Sequence, residues 1–432
     1  MHTMIPTICK KLFIVSGLLC CVISCDRKSD IIIPSNRNST TIPVDVALKS
    51  MDRILIETNN QTRATNPFFT ISTFGKENVE TKSANAAFIP DTLLYIVNFG
   101  NHEGFSVLAG DCRLPASIYC LTESGSISPD DFVDAFNYLS SPDIDTSYKF
   151  ESVLVPSLIL SSVFPALREN GEGGGEGDDD EDHDDWLQWL ASEGEGGGQG
   201  NVFIKKGPFL KTKWDQDLEP LNNLVDGHVG CVAIAVGQIV VANKYSNTLL
   251  FDGVICNLDT LETVRHYSNP SSQSTPYSVN ACYQASHFIK YLRSEDLLNM
   301  NGPESNAEAA KNAFSFLGYT NVEKTSNLLS FTHTMSGKVV NMLYNNYPVY
   351  VDGSRWGSGH AWVVDGFLYT QGILLFHINW GWNGIRDGYY DYGVFDTGRN
   401  HLLDSIIDTD DSSINVEDHH YFFDFSLIEY DL

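Results

Sequence analysis

Residues 171–200 set the first limit on what this chain can fold into. Gly-Glu-Gly-Gly-Gly-Glu-Gly-Asp-Asp-Asp-Glu-Asp-His-Asp-Asp (171–185) and Ser-Glu-Gly-Glu-Gly-Gly-Gly-Gln-Gly (192–200) lie in this stretch. It holds eleven of the chain's 55 acidic residues and no Lys or Arg. Such a run repels itself and has nothing to bury, so it reads as a solvated linker. It lacks the fixed glycine and terminal glutamate of an EF-hand, so calcium is not read there. The chain of 432 residues is long enough for two domains. The linker divides it into a body at 25–170 and another at 201–432. Between its two tracts sits Trp186-Leu-Gln-Trp-Leu190, an apolar island suited to docking on a neighbouring surface.

The N-terminus reads as an export signal. Lys10 and Lys11 precede a short apolar run, and Val22-Ile23-Ser24-Cys25 has the form of a bacterial lipobox. A signal peptide over 1–24, cleavage before Cys25 and lipidation of Cys25 are the expectation. The competing reading is ordinary signal cleavage nearby. The protein is then an exported lipoprotein on the outer membrane or cell surface, with release after processing, and touches membrane only through its lipid anchor. No later run approaches ~18 consecutive apolar residues, the length a spanning helix needs. The net charge of −28 would repel phosphates and excludes a nucleic-acid partner. No Cys/His group has zinc spacing and no glycine-rich loop has a phosphate-cradling pattern, so no cofactor is expected.

The upstream body reads as a small α+β module. Strands are expected over 93–99, 104–111 and 116–122, and a helix from Pro129 with Ser128 as its cap. In the downstream body, Cys231 opens Cys-Val-Ala-Ile-Ala-Val-Gly-Gln-Ile-Val (231–240). That is a buried-helix pattern with Gly227 and Gly230 ahead of it. A thiol at a helix N-terminus has its thiolate favoured by the unpaired N–H groups. His360 lies in Gly-Ser-Gly-His-Ala-Trp-Val-Val-Asp-Gly (357–366), between strand-like runs at 348–353 and 361–366. Asn379 and Trp380 end the next strand-like run, 374–380. A histidine on one strand and an asparagine on its neighbour can come within hydrogen-bond reach. Nucleophile, base and orienting group are thus all present. The rival base His377 reads as part of that strand, and His228 as part of a flexible loop. Of the cysteines beyond the signal peptide, Cys112 with Cys120 and Cys256 with Cys282 are pairings that spacing leaves open; Cys231 is the odd thiol.

These segments resemble the streptopain family of papain-like cysteine peptidases. Trp214-Asp-Gln216, Cys231-Val-Ala-x-Ala-x-x-Gln-Ile, Ala307 to Tyr319, Pro348-Val-Tyr, Gly359-His360-Ala361, Asn379-Trp-Gly-Trp382 and Asp387-Gly-Tyr-Tyr390 carry the resemblance. It departs at Leu221, where the family has tyrosine, and at Gly237, where it tends to have alanine. The resemblance implies a two-lobed α+β catalytic domain, a helical lobe with Cys231 and an antiparallel β lobe with His360. It implies Gln216 in an oxyanion hole, His360 oriented by Asn379 through its side chain or adjacent backbone, and Trp380 shielding that bond. Residues 93–111 resemble the family's inhibitory prodomain, so the chain's own 25–170 is the expected intramolecular inhibitor. The implied activity is a cysteine endopeptidase acting on proteins or peptides, made as a zymogen with its processing cut in the linker. Two alternatives stand beside it: a catalytically weak peptide-binding lipoprotein of the same fold, and a transglutaminase-like acyl transferase.

Overall fold

The computed structural model describes residues 40–432 apart from 58–67, 80–88, 141–149, 167–185, 187, 191–202, 245, 247, 252, 267–276, 328–330, 356–357, 371 and 396–423. The expected signal peptide, Cys25 and both acidic tracts lie outside the described residues.

The N-terminal half runs α1 (Val44–Glu57), β1 (Phe69–Phe74), β2 (Leu94–Phe99), β3 (Phe105–Ala109), β4 (Ile118–Thr122), α2 (Pro129–Ser140) and α3 (Phe150–Ala166). The three expected strands and the helix from Pro129 appear within two or three residues of their expected bounds. The Ser128 hydroxyl accepts the Asp131 N–H at 3.4 Å, as the cap reading asked. Helix α3 was not expected. Its sequence is apolar nearly all round and carries Pro156 and Pro165, so it has neither helical periodicity nor helix-forming composition. A helix of that kind persists only when surrounded by protein, and Val153, Leu154, Val155, Leu158, Ile159, Leu160, Val163 and Phe164 are all buried.

The C-terminal half runs β5 (Phe203–Lys206), α4 (Cys231–Asn243), β6 (Thr248–Phe251), β7 (Val254–Asn257), α5 (Leu258–Glu262), α6 (Tyr277–Leu292), α7 (Ala307–Phe316), β8 (Thr320–Asn327) and α8 (His333–Tyr344). Then come β9 (Val349–Arg355), β10 (Ser358–Thr370), β11 (Ile373–Asn379), β12 (Gly388–Asp391) and β13 (Asp424–Asp431). This is the expected papain-like division: a helical layer that starts with Cys231, packed against an antiparallel sheet that carries His360. Helix α4 buries every residue from Val232 to Val241, and each large apolar side chain there contributes about 1.5–3 kcal/mol. Its start is fixed by Gly230, at φ 91°. A Cβ there would stand 2.4 Å from the Pro303 carbonyl oxygen, so only glycine fits.

The two halves share one sheet. Its order is β1-β2-β3-β4-β12-β11-β10-β9-β13-β8, with β5 on the second half of β10, eleven strands in all. The join is β4 to β12, Thr122 opposite Gly388 and Cys120 opposite Tyr390. The described residues from 40 onward form one compact unit, with the N-terminal half paired onto the sheet of the C-terminal half. The outer strand β8 (Thr-Asn-Val-Glu-Lys-Thr-Ser-Asn) is polar and largely exposed, a composition that protects an open edge. Cys112, Cys120 and Cys256 form no disulfide, so neither of the pairings left open by spacing is formed. Among the described residues no helix is long and apolar enough to cross a membrane.

Candidate active site

Cys231 sits at the first turn of α4, where backbone N–H groups have no partner within the helix. Ala361, directly after His360, lies on β10, and β10 packs against α4. Burial pushes the Cys231 thiol up to about 11, and the backbone N–H groups of Ala361, Val232 and Cys231 itself only partly offset it.

His360 is buried in a stack of indoles. Its ring lies 4.8 Å from that of Trp382, 6.3 Å from Trp362 and 6.4 Å from Trp380, all within 28° of parallel. Burial holds the imidazole down at about 4, against the opposing pull of one hydrogen bond. That bond runs from Nε2 to the Trp380 carbonyl oxygen at 2.7 Å. A carbonyl can only accept, so Nε2 carries the proton and the basic lone pair is on Nδ1. No hydrogen bond joins His360 to Cys231 among the described residues, and at pH 7 both groups are neutral in this arrangement.

The Asn379 side chain makes no hydrogen bond with His360 among the described residues. Its Oδ1 accepts from Gln238 Nε2 at 2.9 Å and from the Gly381 N–H at 3.1 Å, and its Nδ2 donates to the Thr212 carbonyl at 3.0 Å. Of the two routes by which this corner could orient the imidazole, the backbone one is formed. Asn379 instead braces the turn that presents Trp380. Gln238 lies two turns into α4 and also accepts the Trp214 N–H at 3.3 Å. One buried amide thus ties the Cys231 helix to the end of β11 and to the segment ahead of Gln216. The Trp380 peptide is held on its other side by Asp387, whose Oδ1 accepts the Trp380 N–H at 3.0 Å. Asp387 is fully buried; burial raises its carboxyl, and Lys213, 3.1 Å away, opposes that rise. The Trp380 indole donates to the Tyr390 hydroxyl at 3.1 Å.

Gln216 lies beside the loop into α4, its carbonyl accepting the Val229 N–H at 2.7 Å. Its side-chain amide donates to Glu151 Oε1 at 3.3 Å. Glu151 stands in the first turn of α3, so the N-terminal half reaches the Gln216 amide.

The rival histidines lie elsewhere. His228 contacts Asp217 on the surface. His377 is buried between Asp365, at 2.5 Å, and Glu123, at 3.4 Å. Burial alone would lower His377, but the two carboxylates outweigh it and hold it at about 9. Glu123, on the N-terminal half, is held down at about 2, chiefly by His377 and further by Lys213, against the opposing effect of burial. Sequence reasoning missed Gln238, Glu151 and the parts played by Asp365 and Asp387. Gln238 had a signal, a lone polar residue inside an apolar helix run, which must be hydrogen-bonded if buried.

Comparison with known proteins bears on the same residues. Residues 214–390 match the model of the Peptidase C10 family. Streptopain of Streptococcus pyogenes is 27% identical over 181 residues, 37% of this chain and 44% of streptopain. The chain thus spans less than half the length of the curated relatives it matches. A solved prointerpain A fragment from Prevotella intermedia is 17% identical and covers 78% of this chain and 96% of its own, with a TM-score of 0.44. Active interpain A from the same organism is 18% identical and covers 52% and 94%, with a TM-score of 0.34.

The His377 cluster has a measurable consequence. Its proton affinity rises on folding from an ordinary 6.5 to about 9. The stabilisation is therefore complete below 6.5 and is lost as pH rises through about 9. Asp352 and Asp391, raised to about 6 and about 7 by burial, titrate lower. Thermal midpoints of the wild-type chain should fall between about pH 7 and pH 9, and His377→Gln should flatten that fall. An equally steep fall in the variant would contradict the assignment.

Proposed function

We propose that the chain is an exported cysteine endopeptidase made as a zymogen, with Cys231 as nucleophile and His360 as general base and acid. The hydrogen bond from His360 Nε2 to the Trp380 carbonyl carries this reading. It leaves the lone pair on Nδ1, the nitrogen free to take the thiol proton. Ala361, next to His360 on its strand, is among the backbone groups that favour the thiolate. In the reaction, Nδ1 takes the Cys231 proton and the thiolate adds to the scissile carbonyl. The Gln216 amide and the Cys231 N–H receive the oxyanion, each donor worth about 3–4 kcal/mol. His360 then returns the proton to the leaving amine, and a water that it deprotonates releases the acyl group from sulfur. The Trp380 peptide orients the imidazole, and the surrounding indoles keep water from that bond, which strengthens it.

Residues 25–170 act as the inhibitor in cis, joined through 171–200 to the peptidase domain 201–432. Support comes from Glu151, which occupies the Gln216 amide that an oxyanion would need, and from Cys231 and His360, which are not hydrogen-bonded to each other and lie on the neutral side of their titrations at pH 7. Cutting the linker turns an inhibitor held at high effective concentration into one that can leave. Protein or peptide substrates are the substrate class. The lipobox pattern at Val22–Cys25 supports export and anchoring through Cys25.

Casein hydrolysis tests the chemistry and the latency together. Linker-cut protein should be far more active than the uncut chain. In the cut form Cys231→Ala and His360→Ala should abolish hydrolysis with the fold retained, and Gln216→Ala should lower turnover roughly 10²-fold or more. Wild-type activity in Cys231→Ala would end the nucleophile assignment, and equal activity of cut and uncut protein would end the zymogen reading.

Anchoring is read from membrane fractionation of expressing bacteria. Wild type should sediment with membranes and Cys25→Ser should be soluble; unchanged sedimentation of the variant would refute lipidation.

A further inference from the structure

The catalytic reading leaves the apolar island at 186–190 unused. Trp186 and residues 188–190 are helical, so Trp186, Trp189 and Leu190 share one side of the turn. That side meets α8. The Trp186 indole lies 4.7 Å from the His333 ring and 6.3 Å, nearly perpendicular, from the Tyr392 ring. Trp189 meets Tyr344 edge-on at 4.7 Å. Leu190 is wholly buried, while Gln188 is exposed. His333 and Tyr344 are the two ends of α8, and between them Gly337 makes room. A Cβ on Gly337 would stand 2.9 Å from Trp186 Cδ1, closer than carbon atoms pack. Lys206 places its ammonium 4.4 Å over the Tyr344 ring. Ring pairs at these separations attract beyond what burial alone gives.

We propose that this face of α8 is a docking seat for a helical Trp-x-x-Trp-Leu segment, and that its occupant is the chain's own residues 186–190. The seat is separate from Cys231 and needs no catalysis. Its chemistry is specific: two indoles and a leucine spaced i, i+3 and i+4, with a site where a single added methyl group would block the first indole. Held in cis, the segment fastens the linker to the peptidase half independently of the β4–β12 join. The seat also adjoins the site. Tyr392 belongs to the short 3-10 turn Tyr392–Phe395; Phe395 stacks on Trp362 at 6.0 Å, and Trp362 on His360 at 6.3 Å.

The test uses the full chain and a fluorescein-labelled synthetic peptide of residues 184–193, read by fluorescence anisotropy. In wild type the seat is filled by a segment at high effective concentration, so the labelled peptide should bind weakly. The double variant Trp186→Ala/Trp189→Ala empties the seat and should bind it saturably, at least about tenfold more tightly. Adding Gly337→Val should remove that gain. A folded double variant that binds no better than wild type, or whose binding ignores Gly337→Val, overturns the proposal. Should the double variant not fold, Gly337→Val alone decides: in an otherwise wild-type chain it should increase acrylamide quenching of tryptophan fluorescence. Unchanged quenching there would equally refute the seat.

Discussion

The hydrogen bond between His360 Nε2 and the Trp380 carbonyl is the contact on which the rest of the site depends. It selects the imidazole tautomer, and it does so through backbone, which no side-chain substitution at position 380 removes directly. The peptide that supplies it is gripped on its N–H by the buried Asp387 carboxylate. The turn around it is braced by Asn379, which Gln238 ties to the Cys231 helix. A buried carboxylate is costly unless paired and hydrogen-bonded. Asp387 meets both needs with Lys213 and the Trp380 N–H.

The same groups join the two halves of the molecule. Lys213 reaches Glu123 as well as Asp387, and Glu123 lies beside His377. The Glu123 N–H donates to the Asp387 carbonyl at 2.6 Å, next to the β4–β12 pairing. Arg386, one residue earlier, donates to the Ser152 carbonyl at the start of α3 at 3.0 Å. Whatever separates the N-terminal half must therefore break a sheet join and strip partners from Lys213, His377 and Arg386. His377 and Arg386 lie within a few positions of Trp380, and Lys213 pairs with Asp387, which holds the Trp380 N–H, so the geometry around His360 and the attachment of the N-terminal half are physically linked.

Much of the site was legible in the sequence because its elements are local. Cys231 at the head of a largely apolar helix and His360 opening a strand after a glycine-rich turn are patterns set by neighbouring residues. The three upstream strands and the helix from Pro129 were legible for the same reason. What could not be read depends on contacts between distant segments. Asn379 and the Trp380 backbone were indistinguishable as partners of His360 until the turn at 379–381 was folded. The pairing of β4 with β12 has no sequence signature, and it joins the N-terminal half to the sheet of the C-terminal half. Helix α3, with two prolines and no periodicity, exists because its surroundings bury it. The Trp186 pair announced a docking surface, but only the folded α8 identifies which one.

In the uncut chain the Cys231 thiol and the His360 imidazole are expected to be neutral and not hydrogen-bonded to each other. The rate of Cys231 alkylation by iodoacetamide as a function of pH, followed by mass spectrometry of the Cys231 peptide, is the sharpest test, with the label assigned to that peptide because other cysteines are present. Alkylation should be slow at neutral pH and rise with an inflection at about 11. A rate already at its plateau below about pH 7 would mean a preformed thiolate and would contradict this expectation.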